Sequence, residues 1–553
     1  MTRGNKRFKL VSLTLCLSTH CGDSKTLPVV YKLDEKVTTS LQQIWAPFDP
    51  PKATFDAMHE RSLRATQFRE FADYGFQTQL EAGEVWFENN DLAKNYSHDT
   101  HALEKSLLYF WWTADPQIID EESPIRFAGT DVLPMVSTYR PQEHVAIHVF
   151  EAHVRTAARI SQLSGRPFDF AFVGGDLTDG GQENELHWSL TALAGGTIDP
   201  DSGRDDDPVP GPGNDYNDPF TSDGIGVPFY VTLGNHETLY TGVFPATQDV
   251  QVAAIGNEVF PLIQNTLGIE ESDGFANGYR DGRTQDGNVV THGKTPKDNK
   301  RRILDRYETL ATIFSTNGEP EHHGLTAENV AAGNGYYSFF PHPGKPLRFI
   351  VLNTLTKISG TFDRGYIDMT QYEWLVQELQ TAAKQNELVL VGAHHPQDMM
   401  DSASPISGSE LENLLLDYSN VVAMLVGHGH ENRRQLIKKS THRGYWELMV
   451  ASTVDFPTQT RMIELVLEQP SVLKIYSTVL DHNAAPESLA FQARLWAMGR
   501  RYLTLHYTRA NWQATLSARN MLLRIQIPEA IDQTLRQYAW PERIESIETL
   551  AKL

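Results

Sequence analysis

At 553 residues the chain exceeds the usual size of one hydrophobic core, so a main domain with large insertions or an appended unit is expected. With 40% hydrophobic and 10% aromatic residues, 39 Gly and 29 Pro, it reads as a folded, loop-rich protein and not as a disordered or fibrous one. A formal net charge of −22 tells against a nucleic-acid duplex or an anionic lipid surface as principal partner, since these select a net basic face.

The N-terminus carries Arg3, Lys6, Arg7 and Lys9 ahead of an apolar stretch from Leu10 to Leu17, the pattern of a short export signal over residues 1–21. An exported chain would be periplasmic or associated with the cell envelope; a cytoplasmic chain with a disordered N-terminus is the other reading. Cys21, followed by Gly-Asp-Ser, resembles a lipid-attachment cysteine, although His20 stands where a small residue is usual. Cys16 and Cys21 are the two cysteines, so neither disulfides nor thiolate-bound metal can hold the main body, and any metal must use His, Asp, Asn or Glu. No later apolar run is long enough for a transmembrane segment.

Residues 22–105 are mixed and polar, with a helix-like stretch near Thr54 to Glu70, and are expected to pack on the main domain. From Leu107 the pattern changes. Short bounded apolar runs, the signature of buried strands, occur at Leu107 to Trp112, Phe168 to Val173, Phe229 to Leu233, Leu347 to Leu352, Leu388 to Ala393 and Val421 to Val426. Helical patterns lie between them, at His144 to Ser164 and at Thr370 to Gln385, where Thr370 and Glu373 have capping-box spacing. Alternating strands and helices predict an α/β domain over residues 106–480 with its ligand groups at the carboxyl ends of the strands.

Two insertions interrupt this domain. Residues 195–226, rich in Asp, Gly and Pro, read as a surface loop with no core of its own. Its acidic run could bind Ca²⁺, but EF-hand spacing is absent. Residues 241–333 read as a cap of irregular structure and short helices. Beyond residue 480 a helical pattern (Leu489, Ala493, Trp496, Tyr502) and an apolar stretch, Met521 to Ile527, predict an appendage over 481–553.

Polar clusters follow most of the apolar runs. Asp115 and Gln117 offer two oxygen ligands to one cation at the end of the first. Asp176, released by Gly174-Gly175, can bridge two cations with its two carboxylate oxygens. Gly234-Asn235-His236-Glu237 offers a neutral hard oxygen on Asn235, an imidazole for substrate on His236, and Glu237 to orient that imidazole. Ala393-His394-His395-Pro396 and Gly427-His428-Gly429-His430 bring four histidines to two consecutive strand ends, too many for chance core or surface histidines.

The ordered series Asp115-x-Gln117, Gly175-Asp176-x-x-Asp179, Gly234-Asn235-His236-Glu237, His394-His395-Pro396 and Gly427-His428-Gly429-His430 resembles the calcineurin-like metallophosphoesterase superfamily, in its branch with an Asp-Pro-Gln first motif. The resemblance implies a β-sandwich flanked by helices, an αββα arrangement, with large loop insertions. It also implies two divalent metal ions, of uncertain identity among Mn, Fe, Zn and Mg. Asp115, Gln117, Asp176 and His430 would hold the first and Asp176, Asn235, His394 and His428 the second. His394 is preferred to His395 because the family ligand is followed by one residue and then proline; His395 is assigned to substrate. His236 matches the histidine that contacts phosphate and protonates the leaving group.

Gln117 stands where the family usually has His. An amide oxygen is harder and weaker than imidazole, which turns the first site toward Mn²⁺, Mg²⁺ or Fe²⁺. The implied activity is hydrolysis of phosphodiesters or phosphomonoesters by metal-activated water. The competing reading is a non-catalytic binding protein that keeps the fold. Arg433, the pair His322-His323 and the segment Ser452 to Pro457 are further residues that could reach the pocket.

Overall fold

The computed structural model describes residues 29–30, 37–49, 77–94, 96, 104–126, 140, 142–204, 209–260, 278–280, 289–291, 293–355, 363–440, 443–468, 471–505 and 507–543. The export signal, Cys21, the stretch from Thr54 to Glu70 and the acidic run at Asp205 lie outside them.

In chain order the strands of the body are β1 (Phe87–Leu92), β2 (Lys105–Thr113), β3 (Phe170–Val173), β4 (Phe229–Val231), β5 (Tyr337–Phe339), β6 (Leu347–Val351), β7 (Leu388–Gly392), β8 (Val421–Val426), β9 (Arg433–Ser440), β10 (Arg443–Met449), β11 (Gln459–Glu468), β12 (Val472–Asp481) and β13 (Met521–Gln526). The helices used below are α1 (Ala146–Leu163), α2 (Glu183–Ala194), α3 (Arg306–Ser315), α4 (Met369–Lys384), α5 (Gly408–Asp417) and α6 (Leu489–Leu505).

Seven strands form one sheet in the order β1-β13-β12-β11-β2-β3-β4, and six form a second in the order β5-β6-β7-β8-β10-β9. Strands β2, β3 and β4 run parallel, as do β6, β7, β8 and β10. Strands covered on both faces need apolar residues at every position, which is why their sequences are unbroken apolar runs. The sheets pack face to face: Phe110 and Phe172 of the first set their rings 6.2 and 5.0 Å from Phe349 of the second. On the outer face of the second sheet, Ile350, Val389, Val391 and Met424 meet Leu375 and Leu379 of α4 and Leu411 and Leu415 of α5.

Helix α1 is buried on two stripes. Ile147, Phe150, Val154 and Ala157 recur at helical spacing on the side of the first sheet, while Val149 and Ala152 receive Ala493, Trp496 and Ala497 of α6. Helices therefore cover both outer faces, and the architecture is the expected αββα sandwich.

Three local expectations are corrected. The N-cap of α4 is Asp368, whose carboxylate accepts the Gln371 N–H at 2.8 Å, ahead of the expected cap at Thr370. Residues 195–226 do not stay on the surface: Gly196–Ile198 and Phe220–Ser222 pair as antiparallel strands, and Asp215, Tyr216, Asn217 and Asp218 are buried. The stretch from Met521 to Ile527 is not separate from the sandwich, because β13 is hydrogen-bonded between β12 and β1. Among the described residues no helix is long and apolar enough to cross a membrane.

Candidate metal centre

Strands β2, β3, β4, β7 and β8 deliver their carboxyl-end loops to one edge of the sandwich. Parallel pairing continues into the loops, where the Asp115 N–H donates to Gly175 O at 3.0 Å and the Gln117 N–H to Asp176 O at 2.9 Å. Within the second sheet, beyond β7 and β8, the Gly427 N–H donates to His394 O at 2.9 Å. Asp115, Gln117, Asp176, His428 and His430 all take positive φ, at 54, 44, 55, 69 and 52°. Such backbone costs of order 1–3 kcal/mol per non-glycine residue and persists where surrounding bonds over-determine it. The neighbouring glycines leave room for this. A Cβ on Gly234 would lie 2.1 Å from Asp176 Oδ1, and one on Gly175 2.8 Å from His394 Nδ1.

Glu237 does not orient His236. Its carboxylate is buried beneath the loops and accepts the N–H groups of Gly234, Asp176 and Leu177 at 2.6, 2.9 and 2.5 Å. Burial, with Asp176 nearby, pushes this carboxyl up to about 7. The imidazole of His236 is held instead by Asp179, whose carbonyl lies 2.9 Å and Oδ1 3.4 Å from Nδ1. With Nδ1–H donated there, Nε2 is left for the cleft. Asp179 is in turn clamped by Arg126 Nη1 at 2.7 Å.

The donor atoms converge closely. His394 Nε2 lies 3.1 Å from both Asp176 Oδ2 and Asn235 Oδ1, while its Nδ1 donates to Gly174 O at 2.8 Å. Asn235 Nδ2 donates to Gly242 O at 2.9 Å, which turns its amide oxygen inward. Asp115 accepts the His428 N–H at 2.9 Å and lies 3.4 Å from His430 Nε2. His430 Nδ1 is bound to Asp455 Oδ2 at 2.7 Å. Gln117 Oε1 is buried with no hydrogen-bond partner among the described residues, while its Nε2 lies 3.5 Å from Asp176 Oδ2. Buried polar atoms are normally satisfied, so an orphaned hard oxygen beside two carboxylates and an imidazole fits a divalent cation. Ligand atoms of Asp115, Asp176 and His394, and separately of His394, His395 and His428, each lie within 4.8 Å of one another.

The field of these carboxylates favours positive charge, carried by a proton or by a metal ion. Burial opposes charge on His394, yet Asp176 and Asp115 hold it up at about 10; on His430 burial is likewise overcome by Asp115 and Asp455, giving about 9. His428, by contrast, is kept at about 3 by burial and by His394. His395 hydrogen-bonds Thr354 Oγ1 through Nδ1 at 2.8 Å, and its buried Nε2 has no partner among the described residues. Burial, His428 and His394 hold it well below the usual histidine range.

A cleft of about 380 Å³ opens over these groups, with Gln117, Asp176, Asn235, His236, His428 and His430 in its lining. Five further charged residues line it that motif reading did not assign: Arg140, Asp363, Asp455, Arg500 and Arg501. Only Asp455 had a visible signal, as an acid following an apolar run within Ser452 to Pro457. Arg433 and the histidine pair stay outside this lining. Arg433 is bound to Asp398 and Glu447. His322 stacks on Phe314 at 3.7 Å, and the buried His323 lies against the carbonyls of Phe229 and Thr316.

A sequence profile described as calcineurin-like phosphoesterase matches residues 144–432, just over half of the chain. The chain belongs to the calcineurin-like phosphoesterase family. The matched range contains Asp176, Asn235, His394, His428 and His430 but begins after Asp115 and Gln117. Among curated proteins no match was found. Among solved structures, this calcineurin-like phosphoesterase is similar to a dimetal phosphatase from Danio rerio, at 11% identity and a TM-score of 0.38, covering 68% of this chain and 99% of that one. It is also similar to a purple acid phosphatase from yellow lupin seeds, at 13% identity and a TM-score of 0.32, covering 74% of this chain and 56% of that one. A Thermus thermophilus sulfate thiohydrolase, SoxB, in complex with glycerol aligns at 10% identity and a TM-score of 0.30, covering 75% of this chain and 63% of that one.

Proposed function

We propose that this chain hydrolyses phosphate esters at a dinuclear centre. Asp115, Gln117, Asp176 and His430 would hold one divalent cation, and Asp176, Asn235, His394 and His428 the other. The observation that carries the reading is the meeting of His394 Nε2 with Asp176 Oδ2 and Asn235 Oδ1 at 3.1 Å beside the orphaned Gln117 Oε1. A pair of divalent cations supplies Lewis acidity, lowering the pKa of water and neutralising charge on phosphoryl oxygens.

The remaining work belongs to the chain. Asp176 would serve both halves, and its orientation is set by the His236 N–H, which donates to Oδ1 at 2.9 Å. His236, held through Nδ1 by Asp179, presents Nε2 as the proton donor to the departing oxygen. His395, assigned to substrate on sequence, is buried against His428 at 4.5 Å and stands outside the cleft lining, so it would support the second-metal residues. The residues expected as a flanking extension (22–105) and appendage (481–553) serve the catalytic domain (106–480) in this reading. The signal-like residues 1–21 direct export.

The test is reconstitution with Mn²⁺ and assay of a chromogenic phosphomonoester and phosphodiester, wild type against Asn235→Ala. Metal-dependent turnover by the wild type that falls by about 10²-fold or more in the variant is expected. No turnover with any divalent metal, together with unchanged metal binding by the variant, would favour the non-catalytic binding protein.

A further inference from the structure

We propose that Arg140 is a positioning residue that couples His236 to His430, holding the proposed proton donor and the first-metal histidine in register through one guanidinium. This deepens the phosphoesterase reading and rests on it.

Each imidazole is steadied through Nδ1 by an aspartate, His236 by Asp179 and His430 by Asp455. On both carboxylates Arg140 meets the oxygen that faces the ring. Asp179 Oδ1 lies 3.4 Å from His236 Nδ1 and 3.6 Å from Arg140 Nη1. Asp455 Oδ2 lies 2.7 Å from His430 Nδ1 and accepts the Arg140 Nε–H at 3.1 Å. A path of contacts no longer than 3.6 Å thus runs from one imidazole to the other, with a single side chain at its centre. Arg140 lines the cleft yet is itself buried, so water screens these contacts weakly.

The surrounding chain fixes the bridge at both ends. Glu143, just ahead of α1, accepts the Arg140 N–H on Oε2 at 2.8 Å and Arg126 Nη2 on Oε1 at 2.5 Å, while Arg126 Nη1 donates to Asp179 Oδ2 at 2.7 Å. Glu143, Arg126, Asp179 and Arg140 therefore close a ring. The other oxygen of Asp455 accepts Gln142 Nε2 at 3.3 Å and faces Arg500 Nη1 at 3.6 Å. Burial opposes charge on Arg140, but Asp455, Asp179 and Glu143 hold it above the ordinary arginine range. A guanidinium presents Nε and Nη1 in one rigid plane, so a tilt that follows one carboxylate displaces the contact with the other. Lysine offers one charged centre and holds one of the two oxygens, not both. A ring orientation set at His430 is thereby passed to His236.

The experiment uses Mn²⁺-loaded full-length protein with phenyl phosphate and p-nitrophenyl phosphate as poor and good leaving groups, for wild type, Arg140→Met and Arg140→Lys. Arg140→Met should lose about tenfold more kcat on phenyl phosphate than on p-nitrophenyl phosphate, with KM near the wild-type value, and should bind Mn²⁺ about tenfold more weakly. Lys should restore at most one of the two effects. Mn²⁺ affinity is also measured for Asp179→Asn, Asp455→Asn and their combination. With Arg140 present, the combined loss should differ from the product of the single losses by about threefold or more; in Arg140→Met it should equal that product. The same cycle is followed by melting temperature in metal-free protein, where the single shifts should fail to add with Arg140 present and should add in Arg140→Met. Independent effects in the presence of Arg140, or equal loss on both esters with unchanged Mn²⁺ affinity, overturn the coupling and leave the phosphoesterase reading standing. If the wild type hydrolyses neither ester, that reading fails and the cycles alone decide: independence overturns the coupling, and an Arg140-dependent departure from it supports it. Should Arg140→Met not fold, Arg140→Lys takes its place in the cycles.

Discussion

His236 and Asp455 both line the cleft but hold different partners, and their variants should fail differently. Replacing His236 by Ala removes the proposed proton donor held by Asp179, and a donor of this kind contributes roughly 10²–10⁴-fold. Its loss should be largest for substrates with basic leaving groups; equal loss across a leaving-group series would assign His236 to phosphate positioning. Asp455→Asn keeps the shape but weakens the bond that fixes the His430 ring, so metal affinity should drop by roughly 10–100-fold. Mn²⁺ titration would read this, and unchanged affinity would remove Asp455 from the metal centre. The candidate ligands were legible because Asp, Asn and His stand in short glycine-flanked clusters. Arg140, Arg500 and Arg501 were not, since such arginines resemble any solvated surface residue until folding brings Arg140 and Arg500 to Asp455 and Arg501 to the His430 carbonyl.

Among the elements, β2, β3, β4, β6, β7 and β8 could be read from apolar runs because helices and the facing sheet bury them from both sides. Strands β11 and β12 hid the same burial behind charge. Arg461 is fully buried in β11 by donating to Ser477 Oγ and to the Arg519 carbonyl, and Lys474 is buried in β12 between Glu104 and Glu468. Such positions look exposed when read singly and become core only with their partners. Helix α1 carries the same lesson with a testable consequence. His148 and His153 are buried on it and held at about 4 and about 3, both by burial, with Arg494 adding to the effect at His153. Their folded values lie below the ordinary 6.5, so the unfolded chain takes up protons first as pH falls. Stability from these histidines is complete above about pH 6.5 and is lost progressively as pH falls toward their folded values of about 4 and about 3. Thermal melts from pH 7.5 to 5 should show a steeper decline in the wild type than in His148→Gln; equal slopes would mean that His148 does not set the acid limit.

Over the whole molecule, the metal residues gather buried carboxylates and strained backbone whose cohesion rises when a cation bridges them. Divalent metal should therefore stabilise the fold by mass action, by about 2.7 kcal/mol at a hundredfold excess over Kd. Differential scanning calorimetry with EDTA and then with increasing Mn²⁺ should show Tm rising with metal concentration, and a flat response would argue that no metal binds the folded chain preferentially. Alternating apolar runs and helical patterns made an α/β domain readable, and the αββα outline came from the family resemblance that the strand-end motifs carry. The pairing of β13 with β1 was not readable, since nothing local in either strand names its distant partner.

That pairing joins residues 87–92 to residues 521–526, so the seven-stranded sheet closes only when nearly all of the chain exists. Contacts so far apart in sequence form late. During synthesis, the loops that carry the candidate metal ligands can emerge and fold while β12 still presents an unpaired edge, the kind of edge that recruits other chains. A message truncated before residue 521 would thus yield a chain with its chemistry nearly whole and its border open, prone to aggregate before it could act.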